Sequence, residues 1–567
     1  MKRVVLGALL FTLCAPLAAD VRPTQPARGG IVVSDHHLAS TVGRDILAAG
    51  GNAVDAAVAT AFALAVVHPS AGNIGGGGFL LYHGADGEVT SFDFREKAPL
   101  AATENLFLDA DGSVRADSNE DGPLSVGVPG TVAGLWMAHR RLGTMEWRRL
   151  VQPAVDLARD GFPVSWELME FMEGLAAVEH PWYTETRRIF LDDGRPWEPG
   201  SLLVQGDLAA TLERIRDEGR DGFYLGETAR RLAATMERHG GLITEEDLAL
   251  YEAVEQEPVR GAYRGYDVYG MAPPSSGGIA VVTMLNVLEP YDLEGLGHNS
   301  AAYLHLLAEA MRRAFADRAE HLGDPAFNPE MPVARLISKE HAARLRASIE
   351  PHRASPSSED ELSAPYLARP ESEETTHFSV VDAEGSAVSL TYTLEASYGS
   401  HMTVERGGFL LNNEMGDFNP IPGETTDRGQ IGTPPNLVAP GKRMLSSMSP
   451  TIVARDGRPL LVVGSPGGRT IINTTVQVIL NVLDHGMNVA EAVTAARIHH
   501  QWLPDELVIE RWGVSPDTRA LLEARGHRLK IRDSSQGRAN VIRVDPETGL
   551  RHAAADPRAD NAAAVGQ

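Results

Sequence analysis

Polar and apolar residues alternate most regularly over residues 374–399, where two runs flank a polar break at 382–386. A two-residue period on both sides of a short polar break predicts a β-hairpin. In its second strand Val388, Leu390, Tyr392 and Leu394 share one face, and Ser389, Thr391 and Thr393 share the other. In the first, Phe378 and Val380 lie opposite Thr375, His377 and Ser379. Matching those faces sets the register, because a slip of one residue would put a polar row against an apolar one. The expected pairs are Val381 with Ala387, Ser379 with Ser389, His377 with Thr391, and Thr375 with Thr393. Two threonine hydroxyls therefore meet at the open end of the hairpin. On spacing alone, paired threonines serve sheet stability as readily as chemistry.

Ahead of the hairpin, a short apolar run at 31–33 predicts a strand, and residues 39–49 predict a helix stopped by Gly50 and Gly51. Asn52 caps a second helix reaching about Val67, apolar nearly all round, which predicts burial between layers. The run Gly75, Gly76, Gly77 and Gly78 leads into a strand at 79–82. No helix with Lys-Ser/Thr follows, so tight backbone approach is expected there and not a phosphate loop. A further strand covers 89–94. From 125 to about 350 helical periodicity dominates, with amphipathic runs at 132–142, 146–159, 206–218, 226–239 and 302–321. The segments 273–278, 308–310 and 316–318 are expected to support the fold. After the hairpin, residues 407–411, 451–455 and 460–463 read as strands, and 471–484 and 489–497 as helices. Residues 419–443 form a Pro/Gly-rich loop long enough for a lid. Residues 351–374 turn to Ser, Pro and Glu, the composition of a mobile, exposed segment.

Composition narrows the functional classes. The 76 Asp and Glu outnumber the 51 Lys and Arg, a field that disfavours nucleic acid and anionic lipid as partners. One cysteine, Cys14, precludes an intramolecular disulfide. Lys2 and Arg3, an apolar run at 4–13 and the small pair Ala18 and Ala19 predict a secretory signal over 1–19, too short to span a bilayer comfortably. A periplasmic or secreted protein, off the membrane after signal removal, is expected. The pairs His36, His37 and His499, His500 lack the spacing of a metal motif and read as structural, so neither metal nor cofactor is expected.

The wording of the hairpin carries more than its period. Thr-Thr-His-Phe-Ser from 375, Gly-Ser-Ala-Val-Ser from 385, Thr-Tyr-Thr-Leu-Glu from 391 and Tyr398-Gly399 closely resemble the signature of the γ-glutamyltranspeptidases, self-cleaving N-terminal-nucleophile hydrolases. Phe-Arg-Glu-Lys-Ala-Pro at 94–99 and Ser-Pro-Gly-Gly-Arg at 465–469 extend the resemblance, which spans roughly residues 29–550 in blocks. It implies an α/β fold, a four-layer α/β/β/α sandwich with a helix-rich large-subunit portion. It implies cleavage between Glu374 and Thr375 into a large chain, 20–374, and a small chain, 375–567, that form one folded unit. It also implies hydrolysis of γ-glutamyl amides such as glutathione through an ester on Thr375, with transfer to water or to amino acids and peptides.

A threonine hydroxyl is a weak nucleophile unless a base takes its proton. The residue's own α-amine, titrating around ~8, serves once Thr375 begins a chain. Thr393 would hold that hydroxyl, while Thr376 and His377 are expected to pack and orient. Gly467 and Gly468, at a strand-to-helix turn, offer N–H groups to a developing oxyanion, although any Gly pair is as common in a plain turn. By resemblance Arg95, Ser446 and Ser447 take the substrate's α-carboxylate, and Asp417, Glu414 and Glu395 its ammonium. A guanidinium fork suits a carboxylate in a way that lysine does not. Glu395 and Glu414 stand where many members carry Asn and Gln, and crowding of three carboxylates is expected to raise a pKa there. The loop 419–443 has no aromatic residue, whereas a Tyr shields the site in some relatives.

Overall fold

A computed structural model describes residues 24–567, apart from 116–117, 178, 358–373, 427–428, 430–431, 433 and 535. The expected signal at 1–19, Cys14, most of the Ser/Pro/Glu stretch and part of the 419–443 loop lie outside the described residues.

Two seven-stranded sheets lie face to face. The first runs, in spatial order, Ala563–Gly566, Ile31–Ser34, Thr376–Val381, Ala387–Thr393, Gly77–His83, Val89–Phe94 and Val254–Gln256. The second runs Gln25–Ala27, Arg551–Ala555, Asn540–Val544, Arg458–Val463, Thr451–Arg455, Tyr266–Gly270 and Val259–Tyr263. Ile31, Val33, Leu81, Val381 and Ala387 of the first pack against Ile452, Val462 and Ile542 of the second. On the outer face of the first sheet lies the helix Ala53–Val67, buried along its whole length, where the Tyr392 hydroxyl donates to the Ala61 carbonyl at 2.9 Å. Helices Gly277–Leu288 and Thr470–Leu483 cover the outer face of the second. The layers are therefore α/β/β/α, and most of the remaining helices fall between Thr131 and Ala347.

The hairpin takes the register that its alternation predicts, with Val381 opposite Ala387, Ser379 opposite Ser389 and His377 opposite Thr391. Both of its faces are buried, however. The polar row turns to the second sheet, where the Ser379 hydroxyl donates to the Asn540 carbonyl at 2.9 Å and the Ser389 hydroxyl to that of Val463 at 3.1 Å. Buried hydroxyls cost little once bonded. Alternation here marks a contact between sheets. The glycine run does what was expected of it: a Cβ on Gly75 would collide with the Leu410 carbonyl oxygen, and one on Gly76 with that of Thr393.

Three expectations fail. Residues 407–411 form no regular strand among the described residues, only an isolated bridge between Thr403 and Leu410. Gly408, with φ of 75°, turns the chain back so that Val404 and Phe409 bond to each other. The helical stretch is interrupted by strands at Val254–Gln256, Val259–Tyr263 and Tyr266–Gly270, which include edge strands of both sheets. They are short and partly exposed, so they bury too few side chains to leave a two-residue apolar period. The helix beginning at Val489 ends at Thr494. Among the described residues no helix is long and apolar enough to cross a membrane.

Candidate active site

Thr375 immediately precedes the strand Thr376–Val381, and Thr393 ends the strand Ala387–Thr393. Their hydroxyl oxygens are 3.2 Å apart, and both reach the Glu374 carbonyl oxygen, Thr375 at 2.7 Å and Thr393 at 3.1 Å. The chain turns at Glu395, whose φ of 80° lies in the left-handed region, and the Glu395 N–H donates to the Thr393 hydroxyl at 2.8 Å. Behind them His377 is wholly buried and bonded at both ring nitrogens, to Thr391 at 2.8 Å and Ser379 at 3.1 Å. Burial pushes its pKa down to about 3, so it stays neutral and orients the strand. The buried Asp35 carboxyl accepts from the Thr376 hydroxyl at 2.8 Å and the Asn540 amide at 2.7 Å, pinning the residue after Thr375; burial raises its pKa.

Arg95, at the end of the strand Val89–Phe94, is fully buried among acids. Its guanidinium pairs with Glu414 and Asp417 and lies 3.6 Å from Glu96, while the Met444 and Leu445 carbonyls accept at 3.4 and 3.3 Å. Burial opposes its charge, but the carboxylates of Glu414, Asp417 and Glu96 outweigh burial and raise its pKa. Burial pushes Glu96 up to about 8 against the pull of Arg95. It pushes Glu414 well above the carboxylate range, with Glu96, Asp417 and Glu395 adding repulsion. The expected crowding is present, but loss of water is its larger cause. Asp417 is the open member of the group, its side chain 34% exposed against 1% for Glu414.

Ser446 and Ser447 are braced by segments to which the sequence assigned no chemistry. The Arg318 guanidinium donates to the Ser447 hydroxyl at 3.1 Å and to Ser276 at 2.9 Å, and the Ser276 hydroxyl donates to the Ser446 carbonyl at 2.7 Å. Gly467 and Gly468, with φ of 127° and 54°, make the turn into the helix Thr470–Leu483, a conformation in which glycine alone is unstrained. A narrow cleft is lined by Thr375, Thr393, Arg95, Glu395, Glu414 and Asp417, and also by Ser446, Ser447 and Gly468. Gly467 adjoins it through Gly468. Three residues that the sequence reading missed line it too: Met448, Arg469 and Ile471. Each stands within three positions of a motif residue, which was the available signal.

Among the described residues, His305, Glu309 and His527 bring three donor atoms of metal-ligand type within 4.8 Å of one another. The two imidazoles bond each other at 2.8 Å, and the Glu309 carboxylate accepts from Arg313 at 2.6 Å, so this cluster is knit by its own hydrogen bonds. His36 accepts from the Leu38 N–H at a helix start, and His499 bonds the Asn473 side chain at 2.6 Å.

The α/β/β/α sandwich, with a buried threonine pair at the end of its central hairpin, fits the N-terminal-nucleophile hydrolase class that the resemblance implies. A family model for gamma-glutamyltranspeptidase matches residues 39–566. The chain is 46% identical over 571 residues to the glutathione hydrolase proenzyme of Escherichia coli (strain K12), covering 98% of this chain and 97% of that one. Among solved structures, a cephalosporin acylase from Bacillus halodurans superposes with a TM-score of 0.84 at 26% identity over 99% of each chain. A Helicobacter pylori gamma-glutamyltranspeptidase superposes with a TM-score of 0.58 at 44% identity, over 59% of this chain and 95% of that one. The chain belongs to the gamma-glutamyltranspeptidase family. It is an enzyme of γ-glutamyl hydrolysis and transfer.

Proposed function

We propose that the protein is a proenzyme that cuts itself between Glu374 and Thr375. The cut would leave a large chain, 20–374, and a small chain, 375–567, which together cleave glutathione and related γ-glutamyl amides. The observation that carries this reading is the Thr375 hydroxyl, 2.7 Å from the carbonyl oxygen of the residue before it and 3.2 Å from Thr393. In the uncut chain the Thr375 oxygen attacks the Glu374 carbonyl carbon. The C–N bond breaks, the hydroxyl proton passes to the departing nitrogen, and an ester forms. Thr393, held by the Glu395 N–H, donates to the carbonyl oxygen as charge develops on it. Water then hydrolyses the ester, which restores the hydroxyl and leaves Thr375 with a free α-amine.

That amine is the general base of turnover. It takes the hydroxyl proton as Thr375 attacks the substrate's γ-carbonyl, and the proton leaves with the amine half of the substrate. Gly467 and Gly468 face the oxyanion. Water, or the amine of an amino acid or peptide, then takes the γ-glutamyl group from the ester. The α-amino acid end of the substrate replaces the Arg95–Asp417 ion pair with two new ones. Its carboxylate takes Arg95 with Ser446 and Ser447, and its ammonium takes the charges of Asp417 and Glu395, with Glu414, kept protonated by burial, accepting through its carbonyl oxygen. Asp417, the exposed partner of Arg95, is the side chain free to swing across.

The test is cleavage of γ-glutamyl-p-nitroanilide beside glutaryl-p-nitroanilide, which lacks only the ammonium. This reading expects the first to be strongly preferred. The likeness to a cephalosporin acylase favours a second reading, action on the side-chain amide of a β-lactam. Equal or faster cleavage of the glutaryl compound would support that one. The segment 1–19 supports export to the periplasm or medium, and an isolated large chain beginning near residue 20 would bear this out.

A further inference from the structure

The acid in front of the scissile bond is itself held. Arg538 lies just ahead of the strand Asn540–Val544 and is nearly buried. Its guanidinium donates to the Glu374 carboxylate at 3.2 Å and to the Glu167 carboxylate at 3.1 Å. Glu167, near the start of the helix Trp166–Ala176, also accepts from the Asn561 side-chain amide at 2.8 Å. The Arg538 backbone N–H donates to the Ser465 hydroxyl at 2.9 Å, two residues before Gly467. Arg538 therefore ties together the turn that carries the glycine pair, a helix of the large portion and the side chain of Glu374. Burial opposes its charge, but Glu374, Asp35 and Glu167 outweigh burial and keep the guanidinium protonated.

We infer that Arg538 is a positioning residue for self-cleavage: braced on Glu167, it holds the Glu374 side chain and so fixes the carbonyl that Thr375 attacks. Attack on the preceding carbonyl closes a strained five-membered ring, and its rate depends on how narrowly that peptide is confined. Two hydroxyls fix the carbonyl oxygen; Arg538 fixes the other end of the same residue. Cleavage then adds the new Glu374 α-carboxylate to a cluster already holding the side chains of Asp35, Glu167 and Glu374. The added negative charge favours departure of the large chain's new end. Arg538 thus acts in maturation and not in turnover. The inference rests on Glu374–Thr375 being the bond that is cut.

The experiment follows conversion of full-length chain to two bands after cell-free synthesis, and then kcat of the converted protein with γ-glutamyl-p-nitroanilide. Arg538→Gln is expected to slow conversion about tenfold or more, as loss of a charge-assisted bond would. Once converted, the variant keeps kcat within about twofold of wild type, because the contact is absent from the mature cycle. Arg538→Lys recovers part of the conversion rate. If Arg538→Gln yields no folded protein, Glu374→Gln breaks the same contact while leaving Arg538 on Glu167, and it too is expected to convert slowly. Wild-type conversion by either variant overturns the inference. So does a fall in kcat as large as the fall in conversion, which would mark a general structural role. A wild-type chain that never converts would instead remove the reading on which this one rests.

Discussion

At one end of the cleft the working groups are neutral hydroxyls and backbone N–H groups: Thr375, Thr393, the Glu395 N–H and a wholly buried His377 kept uncharged. At the other end a buried guanidinium is crowded by Glu96, Glu414 and Asp417. The first end is built by one hairpin, and its distances follow from strand register. The second is assembled from residues 95, 414–417 and 446–447, and its properties follow from charge out of water. Bond making thus rests on short-range geometry that tolerates no missing hydroxyl. Recognition rests on electrostatics, which degrades in steps.

The largest effect should come from the neutral end. Thr375→Ala is expected to abolish both conversion to two chains and turnover, a loss of about 10⁴-fold or more in kcat. A denaturing gel and a glutathione assay check both, and measurable turnover by this variant would break the division between the two ends. At the charged end Asp417→Asn should lower kcat/KM for γ-glutamyl-p-nitroanilide about 100-fold while leaving conversion intact. Residual glutaryl-p-nitroanilide cleavage should not change. If both substrates suffer alike, Asp417 is not reading the ammonium.

How much of this was legible depends on the range of the interactions. The register that joins Thr375 and Thr393 followed from alternation within twenty residues, and the collision behind Gly76 from the absence of a helix after the glycine run. Arg95 and the serine pair were found by their wording. Glu96 was passed over although it adjoins Arg95, because nothing in a sequence says that both side chains will lose water together. Arg318 was legible only as support for the fold, and Arg538 not at all, for a similar reason: each acts across more than a hundred residues on a partner named by the fold. The strands between Val254 and Gly270 escaped notice because they are short and partly exposed, two of them at sheet edges, and so bury too little to print a period.

Glu96 offers a smaller effect that sharpens the comparison. Its folded pKa of about 8 lies above the ordinary value of 4.5, so the native state favours the protonated acid. By linkage, the stability it contributes is fully present below pH 4.5 and drains away as pH rises towards about 8. Glu96→Gln, neutral at every pH, should therefore flatten the fall in thermal midpoint across that window. Midpoints measured from pH 5 to 9 that decline in parallel with wild type would show that Glu96 is not paying a cost of burial there.

The central claim is that Thr375 becomes a catalyst by becoming an N-terminus. The most direct measurement is N-terminal sequencing and intact mass of the purified active protein, with glutamate release from glutathione followed on the same sample. The account predicts a smaller chain beginning Thr-Thr-His-Phe-Ser and activity that accompanies it. An uncut chain that releases glutamate would contradict it.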